Sequence, residues 1–241
     1  MLTDDLYSRD AYLQSTQATV LQVRPEGVVL DRTVFYARGG GQPGDTGSLA
    51  WGAGQCRVAD TFKSESEIVH AVDPADLPPE VGATVTASLD WRRRHRLMRT
   101  HTALHALSGI VFTEYGAKVT GGNMDDDGSA RMDFELEQLT SELGQQLQEM
   151  LNVRLSEDVE VRVGFLPRAV ALADPDLIRT KVSLIPENVD PIRVIDITGI
   201  DKQADGGTHV RSTAEVGTVL VVKTESKGKG FRRVRIQLSE P

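Results

Sequence analysis

The sequence predicts an α+β protein in which a small N-terminal β-barrel is followed by a domain of separate helices and strands. Short β-branched runs, separated by turns rich in Gly and Pro, fill residues 1–89 and are typical of a small barrel. At Asp90 the apolar residues change to helical spacing, and strand-like runs return after residue 158. We therefore expect two domains, at residues 1–89 and 90–241.

The strands of the first domain are predicted from five short runs. These runs are Ala18–Val23, Gly27–Leu30, Cys56–Val58, Ile68–Val72 and Thr84–Leu89. Five glycines and one proline place residues 38–47 in a loop, because these residues interrupt regular elements. Three prolines between residues 74 and 82 predict a surface connection.

Two helices and four strands are predicted in the second domain. Asp90 can cap a helix that continues to about Tyr115, where Gly116 ends it. A second helix is expected from Thr140 to Leu155. The residues expected to face inward are Leu97, Leu104, Val111 and Tyr115 on the first helix and Leu143, Leu147, Met150 and Leu151 on the second. The strands are expected at Val159–Val163, Ile192–Ile197, Val216–Val222 and Phe231–Leu238.

Composition places the chain among ordinary globular proteins, with 39% hydrophobic and 26% charged residues. No apolar run is long enough to cross a bilayer, and the first residues do not resemble a signal peptide. The single cysteine, Cys56, excludes an intrachain disulfide, which fits a reducing compartment. We therefore expect a cytoplasmic protein.

Two pairs of possible metal ligands are each four residues apart. His101 and His105 lie on the first predicted helix, where residues i and i+4 share one face. Such a pair is by itself more often a hydrogen-bonded pair in a core. Asp205 and His209 form the second pair, on a Gly-rich turn that can bend sharply. Three imidazoles and one carboxylate together favour zinc, which lowers the pKa of bound water to about 7.

These motifs resemble the editing domain that alanyl-tRNA synthetases share with the free-standing AlaX proteins. The resemblance starts from His101-x-x-x-His105 and from Gly-Gly-Thr-His209. The segment Phe35–Asp45 resembles the glycine-rich motif of the medium-length AlaX class. Arg131-Met-Asp-Phe134 resembles a strand of the family, and Glu225–Ile236 resembles its basic C-terminal strand-turn-strand. The resemblance covers nearly the whole chain in family order and implies a barrel followed by a zinc-binding editing domain.

The resemblance implies a trans-editing hydrolase that deacylates mischarged seryl-tRNA(Ala), with glycyl-tRNA(Ala) as a second candidate substrate. One zinc ion would be held by His101, His105, Asp205 and His209, and the three histidines would act in catalysis through it. The family usually has Cys where this chain has Asp205, so another divalent metal or a site of three histidines stays open. Attack by free water and attack by water on the metal also both stay open.

The resemblance also implies where the substrate binds. In the resembled class a threonine before the glycine-rich loop is placed to meet the serine hydroxyl, and Thr33 is the matching position. A hydrogen-bond partner for that hydroxyl discriminates strongly against alanine. Without the resemblance, Thr33 would be interpreted as an ordinary strand residue. The further residues expected at the substrate are Gly39, Gly40, Gly41 and Gln42.

Basic residues form two clusters in a chain whose net charge is −8. One contains Arg92, Arg93, Arg94, Arg96 and Arg99, and the other contains Lys223, Lys227, Lys229, Arg232, Arg233 and Arg235. A solvated face is the commoner role of such a cluster, and Arg94 or Arg96 can instead pair with acids on the second helix. The position of the first cluster beside His101 favours contact with tRNA phosphates. The residues expected to bind tRNA are Arg92, Arg93, Lys227, Lys229, Arg232 and Arg233.

The expected partner is mischarged tRNA(Ala), and neither a membrane nor an obligate protein partner is expected. Three other functions stay open. A generic metal-dependent esterase or peptidase is compatible with the histidine pair, although Thr102 replaces the Glu of a His-Glu-x-x-His site. The second is a non-catalytic RNA-binding relative whose site has decayed at Asp205, and the third is a deacylase for another mischarged tRNA.

Overall fold

A computed structural model describes residues 3–52, 54–137, 140–178, 185, 187 and 189–239. It has the α+β fold that the sequence predicts, with a closed barrel, three α-helices and three further sheets among the described residues. The chain divides into two compact units, Met1–His95 and Arg96–Pro241. No helix in the described ranges is long and apolar enough to cross a membrane.

The first unit is built around a closed barrel of six strands in the order β2-β3-β7-β6-β5-β8. Antiparallel pairing of β2 with β8, for example Ala18 opposite Val85, closes it. The short strands β1 and β4 pair in parallel beside it. The bounds are β1 Asp4–Asp5, β2 Ser15–Arg24, β3 Gly27–Leu30, β4 Arg32–Thr33, β5 Gly47–Trp51, β6 Gly54–Ser64, β7 Glu67–Val72 and β8 Thr84–Leu89.

Apolar side chains fill the barrel interior, since alternate residues of each strand point inward. The buried cluster contains Ala18, Val20, Val28, Leu30, Val34, Phe35, Leu49, Cys56, Val58, Val85 and Ala87. All five predicted runs lie in strands of this barrel. Strand β5 was not predicted, because its sequence Gly-Ser-Leu-Ala-Trp has no β-branched residue.

Helix α1 spans Trp91–Tyr115, close to its predicted bounds. The Asp90 carboxylate accepts a hydrogen bond from the Arg93 amide at 3.1 Å, and Gly116 ends the helix with a φ of +63°. Every residue from 100 to 111 is buried, so the middle of α1 is covered on all sides. The predicted inward stripe is wrong for Tyr115, which is 40% exposed because it lies in the last turn, beyond the covered segment.

The second unit contains α1 from Arg96 onward, two more helices and two antiparallel sheets. The sheets have the strand orders β14-β15-β10-β9 and β11-β12-β13. The helices are α2 Ser141–Ser156 and α3 Arg168–Ala173. The strands are β9 Val119–Met124, β10 Ser129–Glu135, β11 Val161–Leu166, β12 Ile192–Ile197, β13 Asp201–Ala204, β14 Val219–Ser226 and β15 Phe231–Leu238.

Helix α2 begins where it was predicted, because the Thr140 hydroxyl accepts a hydrogen bond from the Leu143 amide at 3.1 Å. Of its predicted inward residues, Leu147 and Leu151 are fully buried, whereas Leu143 and Met150 are half-buried. The helix lies along β14, where the Asn152 side chain donates to the Val219 carbonyl and accepts from its amide, both at 2.8 Å.

Two of the predicted strands of the second unit are shifted along the chain, and three elements were not predicted. Strand β14 begins at Val219 instead of Val216, because residues 213–216 form a capped 3-10 helix. Strand β11 begins at Val161 instead of Val159. Strands β9 and β13 and helix α3 carry weak local signals, since β9 contains two glycines and β13 and α3 are only four and six residues long.

Candidate metal centre

Four side chains of the second unit converge, and they are the four that the sequence singles out. His101 and His105 project from neighbouring turns of α1, whereas Asp205 and His209 follow β13. One possible ligand atom from each residue lies within 4.8 Å of the others. The histidines are buried and the aspartate is half-buried. Three nitrogen donors and one oxygen donor so close together could hold a metal ion.

The imidazole Nε2 atoms surround the Asp205 carboxylate. The distances to its nearer oxygens are 3.1 Å from His209, 3.6 Å from His101 and 3.9 Å from His105. The rings of His101 and His209 are stacked, with their centroids 4.4 Å apart. A single carboxylate faced by three imidazole nitrogens matches the donor set of a metal site.

Two contacts hold Asp205 in place. The Gly207 amide donates to its Oδ2 at 2.6 Å, which turns the carboxylate back over the turn of Gly206 and Gly207. The buried Arg193 of β12 donates from Nη1 to the Asp205 carbonyl at 2.9 Å and lies 3.7 Å from its carboxylate. Sequence reasoning missed Arg193, although an arginine inside the apolar run Ile192–Ile197 is a usable signal.

The Nδ1 atoms on the far side of two rings have partners as well. His105 Nδ1 lies 3.0 Å from Asp201 Oδ2, and His209 Nδ1 lies 3.1 Å from the Thr102 hydroxyl. Both partners are buried. The sequence analysis considers Thr102 only as the residue that replaces the Glu of a His-Glu-x-x-His site. Asp201 was not predicted as a functional residue, and the strand that it begins, β13, was not predicted either.

Burial and neighbouring charges set the protonation of the cluster. Burial lowers the pKa of His101 to about 4 and holds the pKa of His209 well below its ordinary value. Burial alone would raise the pKa of Asp205, but the neighbouring His101 and the hydrogen bond from His209 keep it well below the usual range. Burial likewise opposes a charge on His105, yet the Asp201 hydrogen bond raises its pKa. Neutral imidazoles and an ionised carboxylate are the forms that bind metals.

The glycine-rich segment Phe35–Asp45 lies in the first unit and contains a tight turn at residues 39–42. Gly39 and Gln42 exchange backbone hydrogen bonds of 2.9 and 3.1 Å. Gly40 and Gly41 between them have φ values of +57° and +83°, which only glycine adopts without strain in such a two-residue turn. The turn tip is exposed, whereas the Gln42 side chain is buried.

Thr33 is completely buried at the base of this segment. Its hydroxyl lies 2.7 Å from His70 Nε2 and accepts from the Phe35 amide at 3.0 Å. His70 Nδ1 lies 3.0 Å from the Val28 carbonyl, which can only accept, so Nδ1 carries the proton of the neutral ring. The Thr33 hydroxyl therefore donates to His70, and its oxygen can serve a ligand only as an acceptor.

The first basic cluster is divided between core and surface. Arg94 is fully buried and forms a bidentate ion pair with Asp45, through Nε at 2.9 and 3.0 Å and through Nη2. It therefore does not pair with an acid of the second helix, and Arg96 instead donates to the Asp126 carbonyl at 2.9 Å. Arg93 donates to the Gly44 carbonyl at 2.7 Å, and Arg92 is exposed.

The second basic cluster lies on β14, β15 and the turn between them. Arg233 forms a bidentate ion pair with Asp133 at 2.6 and 2.7 Å, and Arg235 pairs with Glu225 at 2.6 Å. Arg232 donates to the Gly228 carbonyl of the turn at 2.8 Å. Lys227 and Lys229 are exposed at the turn, where their charges face solvent.

Comparisons with known proteins agree on one class. Residues 10–93 match the family described as tRNA synthetases class II (A), and residues 192–235 match the threonyl and alanyl tRNA synthetase second additional domain. The second match contains β12, β13, Asp205 and His209. The barrel and the candidate metal centre thus define a protein of the aminoacyl-tRNA synthetase editing class.

Relatives at full length identify the family. The alanyl-tRNA editing proteins AlaX-M of Saccharolobus solfataricus and Methanosarcina barkeri are 35% and 33% identical to this chain. The alignments cover 97% and 98% of this chain and 98% and 99% of the relatives. The alanine–tRNA ligase of Pyrobaculum aerophilum is 36% identical over 96% of this chain, which spans 26% of that enzyme. This chain belongs to the AlaX-M family of alanyl-tRNA editing proteins.

Proposed function

We propose that this protein hydrolyses the ester of mischarged seryl-tRNA(Ala) and that one zinc ion takes part. An alanyl-tRNA editing protein is an aminoacyl-tRNA deacylase, so the general reaction follows from the family. The observation that carries the finer proposal is the convergence of His101, His105, Asp205 and His209 within 4.8 Å. Glycyl-tRNA(Ala) is the second substrate that the proposal includes.

The nitrogen and oxygen donors of the cluster suit a metal ion that is neither very hard nor very soft as a Lewis acid, such as zinc. His101, His105 and His209 would hold it through nitrogen, and Asp205 would add an oxygen donor. When bound, zinc supplies Lewis acidity toward the ester carbonyl and toward water. Burial of the histidines keeps bulk water away, which strengthens electrostatic contacts with developing charge.

Thr33 is proposed to select serine. The residues of the nearby turn, Gly39, Gly40, Gly41 and Gln42, are proposed to contact the substrate around it. His70 receives the Thr33 proton, so the Thr33 oxygen acts as an acceptor. A serine hydroxyl can donate to that oxygen, whereas an alanine methyl cannot. Discrimination by a hydrogen bond reaches several orders of magnitude when the partner is otherwise left unpaired. Since the Thr33 oxygen already accepts from the Phe35 amide, we expect a smaller factor at this site.

Contact with mischarged tRNA(Ala) is proposed at both basic clusters. Arg92, Lys227 and Lys229 are exposed and can reach phosphates directly. Arg93 donates to one backbone carbonyl and Arg232 to three, and each would bind phosphate in addition to these contacts. Arg233 would bind phosphate while paired with Asp133. A protein with this substrate would act in the cytoplasm, where tRNA is charged and used.

The experiment compares hydrolysis of seryl-tRNA(Ala) and alanyl-tRNA(Ala) by the wild type and by His101→Asn. We expect rapid loss of the seryl ester alone, abolished by chelation and restored by zinc, and a loss of at least about 100-fold in the variant. The matched control is His95→Asn, a histidine of the same helix that lies outside the cluster and should retain wild-type activity.

Other substrates separate this proposal from its rivals. Hydrolysis of simple esters as fast as that of seryl-tRNA(Ala) would indicate a generic esterase. Preferential hydrolysis of another mischarged tRNA would indicate a deacylase with a different tRNA substrate. A folded wild-type protein that hydrolyses seryl-tRNA(Ala) equally well with and without chelator would refute the metal while retaining the substrate.

A further inference from the structure

Asp201 approaches the candidate metal centre through a close contact between α1 and the β12–β13 turn. A Cβ on Gly109 would lie 2.3 Å from the Ile200 carbonyl oxygen and 3.0 Å from Asp201 Cβ, so only glycine permits this approach. The Gln203 side-chain amide donates to Asp201 Oδ2 at 2.8 Å and to the Ser108 hydroxyl oxygen at 3.1 Å. The buried carboxylate is thereby fixed beside His105 by contacts with the next turn of α1.

The direction of the His105 hydrogen bond follows from this arrangement. Since Gln203 donates to Asp201 Oδ2, that oxygen is an acceptor, and the proton between Asp201 and His105 belongs to His105 Nδ1. The lone pair of His105 is then on Nε2, which lies 3.9 Å from Asp205 Oδ1. The neutral imidazole therefore presents its unprotonated nitrogen to the cluster.

Thr102 has the corresponding place at His209. Its buried hydroxyl oxygen accepts from the Val210 amide at 3.3 Å and lies 3.1 Å from His209 Nδ1. A ring that gives Nε2 to a metal must keep its proton on Nδ1, and the Thr102 oxygen is the acceptor within reach. One hydroxyl thus ties α1 to the segment that contains His209.

We propose that Asp201 and Thr102 are positioning residues for the metal ligands, Asp201 through His105 and Thr102 through His209. They hold both imidazoles with Nε2 facing Asp205 and would accept the Nδ1 protons of the metal-bound rings. This inference rests on the proposed function, because it assumes that the four-residue cluster binds a metal ion. Partners of this kind contribute about 10-fold to 100-fold to metal affinity in other proteins.

The test measures the zinc dissociation constant of the metal-free protein by competition with a chromophoric chelator. We expect Asp201→Ala to weaken binding by about 10-fold to 100-fold and Thr102→Val by about 10-fold. Asp196→Ala on the neighbouring β12 and Thr100→Val on α1 are the matched controls. Thr100 is also buried, but its hydroxyl donates to the Arg96 carbonyl at 2.9 Å, so its removal should leave zinc affinity unchanged.

A second readout needs no metal. Long-range ¹H–¹⁵N spectra of the metal-free protein report which ring nitrogen carries the proton, and we expect the Nδ1–H form of His105 in the wild type and a mixture in Asp201→Ala. Far-ultraviolet circular dichroism confirms that each variant is folded, and Thr102→Val, which conserves volume, gives a result even where Asp201→Ala unfolds.

The outcomes separate this inference from the proposed function. Zinc binding by the wild type with unchanged affinity in both Asp201→Ala and Thr102→Val would overturn the positioning role and leave the metal centre standing. No zinc binding by the folded wild type would overturn the metal centre and this inference together. Equal reductions in the matched controls would also overturn it, since the effect would then be general.

Discussion

At the scale of single residues, His70 shows how burial determines the chemistry of one side chain. It is a fully buried residue of β7, paired with Val28 of β3, and both ring nitrogens have partners, the Val28 carbonyl and the Thr33 hydroxyl. Burial lowers its pKa to about 4, because a charged imidazole would lose its hydration. The ring is therefore neutral in the folded protein at every pH near 7.

This pKa predicts a pH-dependent stability. The folded pKa of about 4 lies below the unfolded value of 6.5, so the unfolded chain takes up the proton first as pH falls. The contribution of His70 is complete above about pH 6.5 and declines as pH falls toward 4, which amounts to about 2 kcal/mol between pH 7 and pH 5. We expect urea denaturation at pH 7 and pH 5 to show a smaller loss in the free energy of unfolding for His70→Gln than for the wild type.

Thr33→Val is the control for this measurement. It removes the hydroxyl at His70 but leaves the buried imidazole, so its pH dependence should stay close to that of the wild type. If His70→Gln lost as much free energy of unfolding between pH 7 and pH 5 as the wild type, other groups would account for the loss of stability in acid.

At the scale of elements, the ion pair of Arg94 and Asp45 joins the start of α1 to the glycine-rich segment of the first unit. Arg94 also donates to the carbonyls of Ala11 and Val34, at 3.0 and 2.7 Å. Asp45 accepts from the Tyr36 amide at 2.6 Å. Every charge and most donors of this buried pair are thus satisfied, which is the condition under which such a pair is tolerated.

Removing one partner of this pair should be costly. We expect Arg94→Met to lower the free energy of unfolding by about 3–5 kcal/mol, because Asp45 would remain as a buried charge without its partner. The comparison is Arg9→Met, which breaks an exposed pair with Asp4 of 2.6 Å and should cost no more than about 1 kcal/mol. Similar destabilisation in the two variants would refute the structural role of Arg94.

The contact of α1 with the β12–β13 turn leads to a second prediction at this scale. Alanine normally favours a helix over glycine by about 1 kcal/mol, but at Gly109 its Cβ would lie 2.3 Å from the Ile200 carbonyl oxygen. We expect the clash to prevail, so that Gly109→Ala lowers the free energy of unfolding by about 1–3 kcal/mol. Thermal denaturation measures it, and Thr113→Ala, exposed on the same helix, should instead stabilise slightly.

At the scale of the whole molecule, the charge balance governs binding to tRNA. A net charge of −8 repels a polyanion, so we expect the affinity for tRNA to come from local basic clusters. The ion pairs of Arg233 and Arg235 with acids of the same sheet reduce the charge available on β15. The exposed lysines at the β14–β15 turn are therefore expected to contribute most of the phosphate contacts of this cluster.

The salt dependence of tRNA binding tests this expectation. Removing one lysine that binds a phosphate should lower the slope of log K against log salt by about 0.7–0.9. We expect the double variant Lys227→Gln and Lys229→Gln to reduce the slope by nearly twice that amount, measured by filter binding at several KCl concentrations. Lys63 is an exposed lysine outside both clusters, so Lys63→Gln should leave the slope unchanged. A reduced slope in Lys63→Gln would indicate that the overall charge of the protein, and not particular lysines, attracts the tRNA.

Expectations from the sequence succeeded where the signal is local. The bounds of α1 follow from Asp90 and Gly116, and the Thr140 cap marks the start of α2. The inward stripe failed at Tyr115, because helical spacing continues past the point at which neighbouring elements cover the helix. Short elements such as β13 escaped prediction, since four residues carry no measurable period.

The fold class, the two ligand pairs and the family resemblance could all be inferred from the sequence, because these features depend on local patterns and on spacings of a few residues. That the two pairs meet could be seen only in the folded protein, since His105 and Asp205 are 100 positions apart in the sequence. The tertiary structure also decided that Arg94 belongs to the core, through a partner 49 positions away. Periodicity encodes which face of an element is buried, whereas the partner of a buried polar group is chosen by packing between distant segments.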